Sequence, residues 1–126
     1  MPSHKFGFEK LMVYQEARSL ILEIYGVTRS FPLDERFGLT AQLNRAVISV
    51  DANIAEGSSR ISFKEQAQFS QVAFSSLMEV LCHLDVAREL GFLSDERFAR
   101  LRKQIESLSN KLNSLRRTQV QRGKQP

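Results

Sequence analysis

Residues Ser94 to Leu115 read SDERFARLRKQIESLSNKLNSL. Phe98, Leu101, Ile105, Leu108, Leu112 and Leu115 recur there at steps of three, four, three, four and three residues. That spacing draws one narrow apolar seam along a helix and leaves the rest of its circumference polar. Ser94 is placed to cap the helix, and Asp95 and Glu96 fall in the first turn, where acids complement the helix dipole. Before this segment, Gly91 suits a left-handed residue closing a preceding helix. That helix opens with Ser62-Phe63-Lys64-Glu65, a capping box, and carries Phe69, Ala73, Leu77, Leu81 and Leu84 toward Leu90. Ser58-Ser59-Arg60-Ile61 forms a loop ahead of it.

Further upstream, Leu39, Leu43, Val47, Val50 and Ile54 mark a helix that starts near Asp34 or Glu35 and ends before Gly57. Phe31-Pro32 separates it from a first helix over Glu9 to Arg29, with Leu11, Tyr14, Ala17, Leu20, Ile21 and Ile24 inward. The three prolines stand at positions 2, 32 and 126, so none interrupts a helix. The expected fold is all-α: an up-down-up-down four-helix bundle over residues 1–117, followed by a basic disordered tail at 118–126. With 126 residues, one domain is expected.

Composition narrows the function classes. The single cysteine, Cys82, can form no internal disulfide; beside Leu81 it is expected near the core, and its isolation favours a reducing, cytoplasmic setting. No secretory h-region is expected in Met1 to Gly7, and no apolar stretch approaches the length of a membrane span. His4 and His83 are the only two histidines, which leaves metal ligation without a ligand set. Phosphate-loop and dinucleotide-binding glycine patterns are absent, and no isolated carboxylate pair suggests acid–base chemistry. A non-enzymatic protein without cofactor or metal is expected.

Two features point to partners. From Phe37 to Ala55 the only charges are Arg45 and Asp51, and Gln66 to Met78 carries none. Helices so bland are buried on more than one face, and self-association through the second and third helices is the expected cause. Gln42, Arg45, Ser49, Asn53 and Glu56 form a polar stripe on the second helix, expected as an oligomer interface or buried network in which Arg45 pairs with Glu79. The second feature is charge. The chain carries +4 overall, and the segment after Glu106 holds five basic residues and no acid. Arg60, Lys64, Lys111, Arg116 and Arg117 are the expected phosphate contacts for RNA, although no aromatic-rich RNA-recognition signature is present. A scaffold for an unidentified protein, without nucleic acid, is the alternative.

Specific segments also carry a resemblance. Phe8-Glu9-Lys10-Leu11-Met12-Val13-Tyr14-Gln15-Glu16-Ala17, then Phe31-Pro32, Glu35-Arg36-Phe37-Gly38-Leu39, Gln42-Leu43-Asn44-Arg45-Ala46 and Asn53-Ile54-Ala55-Glu56-Gly57 resemble the four-helix bundle family encoded by intervening sequences in bacterial 23S ribosomal RNA genes. The resemblance extends from Phe6 to Leu115. It implies a homopentamer, and, by similarity to the family's accessory protein in diversity-generating retroelements, a basic scaffold for RNA and a partner protein. Asp51 stands where the family commonly has proline, which implies a milder kink there.

Overall fold

In the computed structural model, which describes residues 4–125, four α-helices follow one another in the chain: α1 (Met12–Thr28), α2 (Leu39–Ser58), α3 (Phe63–Glu89) and α4 (Asp95–Gly123). Short 3-10 turns at Gly7–Lys10 and Leu33–Glu35 precede α1 and α2. No strand occurs among the described residues. All four helices contribute to one core, centred on Leu20, Ile24, Leu43, Val47, Val50, Leu77, Val80, Leu84, Ile105, Leu108 and Leu112. The tightest packing is α2 on α3 and α3 on α4, while α1 and α4 touch only lightly. Among the described residues no helix is long and apolar enough to cross a membrane.

The caps follow the sequence closely. Ser62 Oγ accepts the Glu65 amide at 3.0 Å, the Ser62 half of the expected box. Ser94 Oγ accepts the Arg97 amide at 3.1 Å. Gly91, at φ +81°, is the left-handed residue that ends α3. The start of α2 differs from expectation. Asp34 and Glu35 belong to the preceding 3-10 turn, and Glu35 turns its carboxylate onto the Leu39 amide at 3.2 Å, capping α2 from outside.

The end of α2 also departs from the sequence reading. Gly57 was expected to stop the helix, yet α2 continues to Ser58 with Gly57 buried inside it. The reason is close approach to α3: a Cβ at Gly57 would lie 2.8 Å from Phe69 Cβ, an atom fixed to the α3 backbone. Gly57→Ala gains about 1 kcal/mol of helix propensity and meets an overpacking penalty of roughly 1–3 kcal/mol. A net loss with a Tm lower by roughly 4 °C is expected in thermal unfolding; an unchanged or higher Tm would show that α3 yields freely there.

At the C-terminal end the correction is larger. The expected disordered tail from residue 118 is helical through Gly123, because α4 keeps partners on α3. Ser70 Oγ donates to Gln119 Oε1 at 2.7 Å, the Arg122 guanidinium lies 5.7 Å over the Phe63 ring, and Gly123 abuts Phe63 and the Lys64 amide. The end of α4 therefore lies beside the start of α3.

Cys82 is exposed rather than near the core. Leu81 packs against the core and Leu84 lies within it, so the helical rotation turns position 82 outward.

Candidate nucleic-acid interface

Two stripes at helical spacing face each other where α3 begins and α4 ends. On α3 they are Lys64, Ala67, Gln68 and Gln71; on α4 they are Arg116, Val120, Gly123 and Lys124. Together they line a groove of about 440 Å³. Its lining contains three cations, two amide side chains, an apolar floor and no acid. Positions four and seven apart on one helix share a face, which is why residues widely separated in sequence converge here. Arg116 donates to Asn113 Oδ1 at 3.4 Å, and its Nε is buried without a hydrogen-bond partner. The Arg116 guanidinium carries a charge that no acid in the groove lining balances.

Of the five expected phosphate contacts, Lys64 and Arg116 meet in this groove. Arg117 lies on a neighbouring depression of the same helix end, with Thr118, Gln121, Arg122 and Gln125. Arg60 stacks over Phe69, its guanidinium 4.7 Å from the ring centroid, and approaches Glu56 at 3.9 Å. Lys111 is engaged elsewhere: it donates to Glu16, tying α4 to α1. Its charge is balanced within the chain. Lys124, Gln68 and Gln71 escaped the sequence reading. Lys124 was counted with the tail, although its place four residues after Val120 and eight after Arg116 was visible.

The expected polar network forms in part. Ser49 and Ser76 share a hydrogen bond of 2.9 Å between α2 and α3, and Asn53 donates to the Ser49 carbonyl at 2.8 Å and to Ser49 Oγ at 3.1 Å. Gln42, Arg45 and Glu56 lie on the exposed side of α2 instead. The expected Arg45–Glu79 pair does not form within the chain. Glu79 meets His83, one helical turn away, at 3.1 Å, and Arg45 makes no ion pair among the described residues.

Asp51, at the position where the resembled family commonly has proline, is half-buried and one of its carboxylate oxygens lacks a partner. Burial pushes its pKa up, against a smaller opposing pull from Arg18. A carboxylate whose folded pKa is raised costs stability once it ionises. The cost is absent below the unfolded value of about 3.8 and sets in as pH rises through the folded pKa. Asp51→Asn is therefore expected to raise the neutral-pH melting temperature and to leave it unchanged near pH 3. A melting shift between the two chains that is the same at both pH values would contradict this.

A four-helix protein with a basic groove at one end is the class that this fold and site define. The chain belongs to the 23S rRNA-intervening sequence protein family, whose model matches residues 9–114. It is similar in fold to a crystallised protein of unknown function from the S23 ribosomal protein family of Bacteroides thetaiotaomicron. That similarity has a TM-score of 0.62 at 18% sequence identity and covers 90% of this chain and 100% of the other. No curated protein matches the chain.

Proposed function

We propose that this protein is a non-enzymatic, cytoplasmic, up-down-up-down bundle that assembles as a homopentamer and binds structured RNA, or an RNA–protein complex, through repeated basic surfaces. The observation that carries the RNA reading is the convergence of Lys64, Arg116 and Lys124 on one acid-free groove. Cations so arranged suit phosphate contacts that do not depend on base sequence, and repetition around a symmetry axis multiplies them. Arg117 lies beside this surface on the same helix end, Arg60 stands over Phe69 near the start of α3, and Lys111 contributes only if Glu16 releases it.

Assembly through α2 and α3 is supported by their uncharged stretches and by Ile48, Val72 and Val86, each more than two-fifths exposed. Arg45, which makes no ion pair among the described residues, would find its acid on a neighbouring subunit. Gln42, Glu56 and Glu79 belong to the same proposed interface, with Ser49 and Asn53 bracing α2 against α3 behind it. A second reading, a scaffold for a protein partner without nucleic acid, is favoured by the apolar floor of the groove at Ala67 and Val120.

RNA affinity across a salt series tests the proposal, comparing the full chain with one ending at Leu115. That truncation removes Arg116, Arg117, Arg122 and Lys124 and leaves fourteen basic and fourteen acidic residues. The full chain is expected to bind with log affinity falling linearly in log salt, by about 0.7 for each single-stranded phosphate contact, and the truncated chain with a flatter slope. If neither chain binds near physiological salt, the protein scaffold is the better account.

A further inference from the structure

At the entry to α1 the chain builds a row of aromatic rings, of which Tyr14 packs against the core and Phe6 stands outside it. The Phe6 ring meets His4 edge-on with centroids 5.0 Å apart, and lies nearly parallel to Phe8, 14° between planes and 6.3 Å between centroids. Phe8 in turn meets Tyr14 edge-on at 4.9 Å. The Arg18 guanidinium closes the row, 5.6 Å over the Tyr14 ring, and donates to the Tyr14 hydroxyl at 2.7 Å. Local hydrogen bonds hold the turn in place. The Phe6 amide donates to Glu9 Oε1 at 2.9 Å and Gln15 Nε2 donates to the Glu9 carbonyl at 3.1 Å. A row that served only packing would turn its outer ring inward. Here Phe8 and Tyr14 are half-buried, whereas Phe6 is 61% exposed.

Charge and position decide what such a surface fits. Lys5, Lys10 and Arg18 are exposed and outnumber the nearby Glu9 carboxylate, which accepts the Phe6 amide. Exposed π faces flanked by cations match unpaired bases with their phosphates, since every base can stack on an aromatic ring. The row also stands at the same end of the molecule as the basic groove. Leu11, just after the rings, shares a small cavity with Gln66, Ser70, Leu115 and Gln119, the sequence neighbours of groove residues Ala67, Gln71, Arg116 and Val120.

We propose that His4, Phe6, Phe8 and Tyr14, with Lys5, Lys10 and Arg18, form a stacking platform for the unpaired bases of a single-stranded RNA segment. This rests on the RNA-binding reading above and deepens it: the groove takes phosphates, and the platform selects an unpaired stretch over a duplex, whose bases are already stacked.

The experiment compares a short oligouridylate with the same strand annealed to its complement, using the full chain and Phe6→Leu, each across a salt series. The full chain is expected to prefer the single strand. Phe6→Leu should weaken single-strand binding about tenfold while keeping the salt slope, because it removes a ring and no charge. Ultraviolet cross-linking of the unaltered chain, with peptide mapping, should mark the segment from Phe6 to Lys10. If the full chain binds RNA but Phe6→Leu binds as tightly and the cross-links fall elsewhere, the platform is refuted and the RNA reading stands. If the full chain binds neither RNA, both fail.

Discussion

Replacing Lys64, Arg116 and Lys124 together by glutamine is expected to lower RNA affinity roughly a hundredfold near 0.1 M salt and to flatten the log–log salt slope by about 2. The reasoning is electrostatic. These cations share one groove without an acid to balance them, so each is free to displace a counterion from a phosphate. Glutamine keeps part of the apolar stem and a polar end, so the lost quantity is chiefly charge. The comparison substitution is Lys111→Gln. Lys111 already donates to Glu16, and its removal is expected to change the slope much less while loosening the α1–α4 contact. Filter binding at several salt concentrations separates the two. Equal slopes for the triple variant and the unaltered chain would remove the groove from the RNA surface.

Leu77→Ala is expected to produce the largest loss of stability, about 2–5 kcal/mol. Leu77 is fully buried in the middle of α3, the helix that packs tightly on both α2 and α4. Truncation removes the apolar contact and leaves a cavity lined by residues of neighbouring helices, which can only partly close around it. A domain of this size has roughly 5–15 kcal/mol in total, so the variant should unfold at clearly lower denaturant concentration with a similar m-value. A midpoint within error of the unaltered chain would contradict the central position assigned to α3. Where the protein is oligomeric, the comparison must be made at one protein concentration, because assembly adds to apparent stability.

The helices were legible because their signals are local. The seam from Phe98 to Leu115, the serines at 62 and 94 and the glycine at 91 each act within a turn or two of themselves, and the caps formed as the sequence predicts. What was not legible depended on partners distant in the chain. Gly57 reads as a helix stop until Phe69 is placed against it, and then it becomes the residue that lets two helices touch. The last turns of α4 have a weak apolar pattern, and their contacts with Ser70, Phe63 and Lys64 tie them to α3.

The site divides the same way. Residue types alone nominated Lys64 and Arg116, and the structure brings them together. Lys111 looked equally available, but Glu16, 95 residues earlier, engages it. Arg45 and Glu79 do not pair within the chain; Glu79 meets His83, one turn away on its own helix. The aromatic row was missed because His4, Phe6 and Phe8 recur every two residues and Tyr14 lies six further on, so no helical period links them.

Sedimentation equilibrium of the full chain, alone and with a structured RNA carrying an unpaired loop, tests the central claim most directly. The account predicts a protein species of five 14.4 kDa chains that gains mass when RNA is added and releases it as salt is raised. A 14.4 kDa monomer whose mass is unchanged by RNA even at low salt would contradict it.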